Sequence, residues 1–308
     1  MKELKGTLIL LLTAFIWGMS FVAQSTASGI VEPFTYNGIR LLIGALFLTL
    51  FLLIRKATTK TPILERTTLI GEKISKKQTI IAGTICGVVL FFATNLQQFG
   101  IELYPNGVAT SGRAAFLTAT YVVMVAIFSS IMIKKFQPFI IIAVLVCMGG
   151  MYALCFSNGL AGVYFADLLC FLCAVFFTTH IIVIDKFSKI DSITMSCVQF
   201  YVSGVLSIIC MIIFETPNLT SITSMWLPIL YSGIGSSGIA YTLQIIGQKY
   251  TKPATASIAM SLESVFAALG GAIILSERLN GIEILGCALV FVAVILAQIP
   301  QFINKKTV

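Results

Sequence analysis

Charged residues are scarce in this chain of 308 residues: Asp, Glu, Lys and Arg together make up 10% of it, whereas 58% is hydrophobic. A typical soluble domain is about one quarter charged, so this composition excludes an ordinary water-soluble fold. Long polar stretches are lacking as well. The one long segment between apolar runs, Arg55–Lys77, is basic and has no core of its own. We therefore expect an all-α integral membrane protein without a separate soluble domain.

Residues that commonly carry chemistry are also few, since the chain has a single His. All eight Cys lie inside apolar runs, and Cys170-x-x-Cys173 has no flanking His or turn residues. We therefore expect no disulfide, no metal site and no cofactor. The net charge of +8 does not indicate nucleic acid, because its distribution along the chain favours a membrane surface instead.

Ten apolar runs are long enough, with their flanks, to cross a bilayer as helices. We number them spans one to ten in chain order. Their predicted bounds are Gly6–Ala23, Pro33–Ile54, Thr79–Ile101, Gly107–Ile133, Pro138–Phe156, Val163–Ile184, Ser192–Phe214, Trp226–Gly247, Pro253–Leu275 and Gly281–Gln298.

The basic residues orient these spans. With the N-terminus inside, 17 of the 20 Lys and Arg residues fall on the inner side, Arg278 alone lies in an outer loop, and Arg40 and Arg113 fall within spans. This bias predicts a multi-pass protein of the cytoplasmic membrane with both termini cytoplasmic. It also predicts that the first span is retained, because cleavage there would leave nine spans.

The chain contains an internal repeat. A shift of 159 positions places Trp17 on Phe176, and a shift of 147 places Gln97 on Gln244 and Gly100 on Gly247. The repeat predicts two five-helix halves, residues 1–157 and 158–308. Because five is odd, the halves are inverted relative to each other. Inverted repeats are typical of alternating-access transporters, whose substrate site lies near the midplane.

Ionisable residues inside spans are candidates for function, because a buried charge in a bilayer is costly. Arg113 either binds a carboxylate or phosphate of the substrate or pairs with Asp167 or Glu263. For Arg40 a structural role is favoured. Glu263 either pairs with an Arg or couples protons, and His180 is a second proton-coupling candidate.

Polar residues recur at three- or four-residue spacing on spans three, seven and eight, and such faces avoid lipid. Together with the buried charges and several aromatic residues, they define the candidate small-molecule site. Its members are Trp17, Arg40, Asn95, Gln97, Gln98, Arg113, Phe116, Tyr121, Gln199, Tyr241, Gln244 and Glu263.

Span eight carries two further motifs. Gly233–Gly238 matches G-x-G-x-x-G, but it lies within a membrane helix and follows no strand, so a dinucleotide site is not expected. Gly235-Ser236-Ser237-Gly238 resembles the nucleophile motif of rhomboid proteases. The alternative outside transport is thus an intramembrane serine protease with Ser237 as nucleophile and His180 as base, which requires the two side chains within hydrogen-bond reach.

Four stretches carry a resemblance to a known family: AFIWGMSFV from Ala14, EPFTYNGIRLLIGAL from Glu32, ATSGRAAFLTATYVV from Ala109 and LESVFAALGGAIILSERLNGIEILGCALVFVAVIL from Leu262. Their order over nearly the whole chain resembles the EamA-type transporters of the drug/metabolite transporter superfamily. The resemblance implies ten helices around a central cavity, export or exchange of small organic metabolites, and no enzymatic activity.

The buried charges then favour amino acids or related zwitterionic or anionic substrates. The alternative within transport is a proton-coupled exporter of cationic drugs or polyamines, neutralised by Glu263. The expected partners are the small-molecule substrate and the lipid bilayer. The protein is expected to be a monomer or a homodimer.

Overall fold

The computed structural model describes residues 2–59, 66–67, 73–133, 138–155, 163–187, 190–250 and 259–303. Seven of the predicted spans are single helices over these residues. In chain order they are Lys2–Ala27 (span one), Pro33–Thr59 (two), Lys76–Glu102 (three), Pro138–Cys155 (five), Phe165–Lys186 (six), Ser192–Phe214 (seven) and Gly281–Ile303 (ten).

The other three spans are interrupted. Span four is Thr110–Ala119 followed by Tyr121–Ile133, and span nine ends in the helix Glu263–Ile274. Span eight has three parts: Trp226–Leu230, a π-helix Tyr231–Ala240, and Tyr241–Tyr250. The short helix Leu219–Ser224 precedes span eight, and a pair of two-residue antiparallel strands, Arg66–Thr67 and Lys73–Ile74, lies between spans two and three.

Six helices of the described part are long and apolar enough to cross a membrane, and three shorter apolar helices accompany them. Their outward faces carry large apolar side chains, such as Ile212 (70% exposed), Phe214 (73%) and Ile273 (80%). Exposed apolar faces of this kind require lipid around them. The chain is therefore a multi-pass helical membrane protein.

Polar contacts between helix ends define the two faces of the bundle. Arg55 pairs with Asp191 at 3.0 Å where span two ends and span seven begins. At the other end of this antiparallel pair, the Glu215 carboxylate accepts bonds of 2.7 Å from the backbone N–H groups of Phe34 and Thr35. We call the Arg55 side, where span one begins, the N-terminal face, and the Glu215 side the opposite face.

Glycines allow spans two and eight to approach closely. A Cβ added to Gly44 would lie 2.7 Å from the Ser237 Cβ, and one added to Gly233 would lie 2.9 Å from the Arg40 carbonyl oxygen. The glycines of the G-x-G-x-x-G match therefore include a packing position against span two. Small residues at helix contacts are a general device of membrane bundles.

Span five packs chiefly against span ten, beside the group formed by the other spans. Gly150 lies at this contact: an added Cβ would be 2.8 Å from the Val290 nitrogen and 2.9 Å from the Gly286 carbonyl oxygen. The neighbouring Gly149 has nothing within 4 Å of such a Cβ.

We predict that Gly150→Ala destabilises the protein by about 1–3 kcal/mol, because the added methyl group collides with backbone atoms of span ten. Gly149→Ala is the matched control. It should be neutral or should stabilise the helix by up to about 1 kcal/mol. Thermal unfolding of the two variants in detergent measures both effects, and equal melting temperatures would contradict this packing.

Candidate functional site

A cavity of about 260 Å³ lies at the centre of the bundle. Spans one to four and six to nine supply its walls, and none of the described residues of spans five and ten lines it. Its polar lining consists of Trp17, Ser20, Gln24, Arg40, Thr94, Gln97, Thr118, Tyr121, His180, Ser236, Ser237, Tyr241, Gln244 and Glu263. A concave, largely apolar chamber with a few convergent polar groups is the usual form of a small-molecule site.

Arg40 is the cation of this cavity. It lies two turns into span two and is 5% exposed. Its Nε donates to Asn37 Oδ1 at 2.7 Å, and its guanidinium carbon lies 5.7 Å from the Tyr36 ring centroid. Within the described residues no carboxylate forms an ion pair with it. Because a buried, uncompensated charge is costly, an anion entering the cavity would be bound favourably at this position.

Glu263 is the acidic residue of the cavity and is 6% exposed. Its carboxyl group accepts a hydrogen bond from the Tyr121 hydroxyl, and Tyr241 lies near both Glu263 and Arg40. In the part of the chain that the structure covers, Glu263 has no cationic partner. The cavity thus presents one basic and one acidic side chain, with Tyr241 near both.

Those aromatic residues pack edge to face. Tyr241 lies 5.2 Å from Trp17 and 5.2 Å from Phe200, measured between ring centroids. The Trp17 indole N–H donates to the Ser236 carbonyl oxygen at 3.3 Å. That carbonyl belongs to the π-helix of span eight. π-Helical segments are rare and frequently occur at functional sites.

His180 and Ser237 both line the cavity, but each has another partner. His180 Nε2 is 2.9 Å from Gln199 Oε1. Since an amide oxygen only accepts, Nε2 donates this bond. Ser237 Oγ donates to the Ser232 carbonyl oxygen at 3.1 Å. The Ser–His hydrogen bond that a serine protease needs is therefore not formed in this structure.

Arg113 lies outside the cavity, in a buried network near the opposite face. Its Nε and Nη2 each lie 2.7 Å from an oxygen of Asp167, and Nη1 lies 3.5 Å from Glu283 Oε1. The Tyr104 hydroxyl donates to Asp167 at 2.7 Å, and the Tyr164 ring centroid is 4.9 Å from the guanidinium carbon. The bidentate pair with Asp167 joins span four to span six, and the contact with Glu283 joins it to span ten.

Of the roles that the sequence offered for Arg113, the structure shows the pairing with Asp167, and Arg113 does not line the cavity. Arg40, for which a structural role was favoured, lies at the cavity. The deciding difference is the supply of carboxylates, which surround Arg113 and are missing around Arg40 in the described residues.

Four other predicted site residues lie away from the cavity lining. Asn95 bonds Ser207 and Asn37, and Gln199 bonds His180. Gln98 is fully buried with its amide nitrogen near the Gln24 carbonyl oxygen, and Phe116 packs in an apolar cluster. The three polar residues were predicted from polar helix faces and Phe116 as an aromatic wall, but the sequence did not distinguish a helix contact from the cavity wall. The structure brings together Trp17, Arg40, Gln97, Tyr121, Tyr241, Gln244 and Glu263, with His180 beside them.

Sequence reasoning missed Gln24, Ser20 and Thr118, whereas Thr94 lies on the predicted polar face of span three. Gln24 lies three residues before the end of span one, among small polar residues that resemble an ordinary helix end. No pattern in the sequence separates it from that segment.

Lipid-facing helices around a central polar chamber define a class, the membrane transport proteins. The EamA-like transporter family model matches residues 4–156 and 164–298. An "Uncharacterized transporter" of Archaeoglobus fulgidus is 29% identical over 301 residues, covering 97% of this chain and 87% of that protein. The "Uncharacterized transporter YoaV" of Bacillus subtilis is 26% identical over 286 residues, covering 89% and 90%.

A solved structure described as "Crystal structure of protein" has a similar fold, with a TM-score of 0.66 at 19% identity over 96% of this chain and 97% of that one. The chain belongs to the EamA-like transporter family, part of the drug/metabolite transporter superfamily. Family and relatives are transporters, and no catalytic activity is indicated for them.

We predict that Asp167→Ala destabilises the protein by about 3–5 kcal/mol, because it leaves Arg113 buried without its main partner. The triple variant Arg113→Met/Asp167→Leu/Glu283→Gln should recover much of this loss, since it removes all three charges of the network. Thermal unfolding measures both. Arg55→Met is the control at the more exposed Arg55–Asp191 pair, with an expected cost of about 1 kcal/mol or less. A triple variant as unstable as Asp167→Ala would contradict the pairing.

Proposed function

We propose that this protein is an alternating-access transporter of small organic metabolites, with amino acids or related zwitterionic or anionic compounds as substrates. The observation that carries the proposal is the cavity itself, in which Arg40 and Glu263 lie buried without partners of opposite charge among the described residues. A zwitterion would provide a negative group for Arg40 and a positive group for Glu263. An anion would pair with Arg40 alone and leave Glu263 available to bind or release a proton.

The proposed mechanism uses two inverted five-helix halves, residues 1–157 and 158–308. Two separate family matches, to residues 4–156 and 164–298, support this division. So does the pair Gln97 and Gln244, which the repeat relates and which both line the cavity. Two halves with equivalent folds can exchange conformations around one central site.

The positive-inside bias supports a cytoplasmic-membrane location with the N-terminal face toward the cytoplasm. In this proposal the protein acts as an exporter or exchanger, as a monomer or a homodimer. The cavity lining extends to Ile184, two residues before span six ends on the N-terminal face. We therefore interpret the structure as the inward-facing state.

Contacts on the opposite face support that interpretation. The Glu277 carboxylate accepts bonds from the Ser111 backbone N–H at 3.0 Å and from the Ser111 hydroxyl at 3.1 Å. Burial raises the pKa of Glu277, and these bonds act against that rise. A recess of about 470 Å³ lined by Ser25, Glu277 and Arg278 lies beyond this contact. Gln24, the residue before Ser25, lines the central cavity, so span one contributes to the walls of both spaces.

A second candidate function is the proton-coupled export of cationic drugs or polyamines. The observation that favours it is Glu263, a buried carboxylate beside Trp17 and Tyr241, since aromatic faces and an anion together attract cations. Proton coupling would use Glu263, with His180 as the other candidate.

We predict that zwitterionic or anionic compounds raise the melting temperature of the purified protein, since a ligand that binds only the folded state stabilises it. The panel comprises amino acids, organic acids, sugar phosphates, nucleobases and lipophilic cations. Arg40→Met should abolish the shift, because a carboxylate bound there loses its cationic partner. Arg55→Met, which removes an Arg outside the cavity, should retain it.

Stabilisation by cations alone, lost in Glu263→Gln, would overturn the zwitterion proposal in favour of the second candidate. If Glu263 couples protons, Glu263→Gln reconstituted in proteoliposomes should still bind substrate while its flux no longer follows a pH gradient. If substrate flux through the Glu263→Gln variant still follows the pH gradient, Glu263 is not the proton-coupling residue.

A further inference from the structure

Gln24 combines deep burial with an unused hydrogen-bond acceptor. It is 2% exposed and lines the central cavity. Its amide Nε2 donates to the Ser20 carbonyl oxygen at 3.1 Å. Because a carbonyl only accepts, this bond fixes which end of the amide is nitrogen. The other end, Oε1, is buried and has no hydrogen-bond partner among the described residues.

An amide oxygen that loses water and gains no donor is costly, and a bound group that donates to it removes that cost. A ligand that covers this oxygen without donating to it therefore binds more weakly than one that donates.

Gln24 and Arg40 line the same cavity. Gln24 bonds the Ser20 backbone, Ser20 Oγ lies 3.5 Å from Ser232 Oγ, and Ser232 Oγ lies 2.6 Å from the Tyr36 hydroxyl. Arg40 packs 5.7 Å over that tyrosine ring. The cavity lining therefore includes a guanidinium that can pair with an anion and an amide whose oxygen is an unused acceptor.

We propose that Gln24 Oε1 is a specificity determinant that selects anions carrying an N–H or O–H donor next to the anionic group. α-Amino acids and α-hydroxy acids have this pair of groups, whereas the corresponding simple carboxylates lack the donor. The inference rests on the proposed function, because it assumes that a carboxylate binds at Arg40. Arg40 and Glu263 alone would not distinguish these acids from simple carboxylates, whereas Gln24 would.

The test uses two matched sets of acids with purified protein: L-alanine, L-lactate and propionate, and L-phenylalanine, L-phenyllactate and 3-phenylpropionate. Affinities come from thermal-shift titration. In the wild-type protein, the amino and hydroxy acids of at least one set should bind at least about tenfold more tightly than the plain acid. In Gln24→Met the difference should fall to within about twofold, with propionate or 3-phenylpropionate binding retained.

Gln98→Met is the matched control, because Gln98 is also buried with an unpartnered Oε1 but lies outside the cavity lining. It should keep the wild-type preference. Equal wild-type affinities within both sets would overturn the role of Gln24 and leave carboxylate transport standing. A preference that persists in Gln24→Met, or disappears equally in Gln98→Met, would also overturn it. Absence of binding by all six acids would overturn the proposed substrate class, and this inference with it.

Discussion

A charged side chain buried inside a membrane bundle needs a partner that offsets the cost of its burial. The two buried arginines of this structure differ in what that partner is. Arg113 is compensated by protein: Asp167 binds it through two hydrogen bonds of 2.7 Å, and Glu283 and two tyrosines surround it. In the described part of the chain, Arg40 contacts an amide oxygen and an aromatic ring but no carboxylate. The first arginine joins helices, and the second is left for a ligand in the account we propose.

Close helix packing determines where that ligand space lies. Glycines bring span eight against span two, and the π-helix of span eight directs Ser236 toward Trp17. Spans five and ten pack against each other, and none of their described residues lines the cavity. Close contacts therefore surround a chamber with polar walls, and the Glu277–Ser111 contact lies toward the opposite face.

The sequence predicted the features that follow from amino-acid composition and from the spacing of apolar and repeated residues. Apolar runs located the helices, and the repeat related Gln97 to Gln244, which both reach the cavity. The two arginines show the limit, because both lie at similar depth and only the fold brings a carboxylate to one of them. Gln199 and Asn95 lie on polar faces as predicted, yet their partners are other helices. The interruptions at Thr120 and in span eight had no recognisable signal.

The central claim is that one cavity opens alternately to the two faces. Its most direct test is a thiol at Ser20, a residue of the cavity lining, introduced as Ser20→Cys and probed with a membrane-impermeant reagent from each side of oriented vesicles. Rates are compared with those of the parent protein and its native cysteines. We expect modification from the cytoplasmic side in the unliganded protein, and from the outer side once Glu277→Ala removes the Ser111 contact. Reactivity confined to one side in both proteins would contradict alternating access.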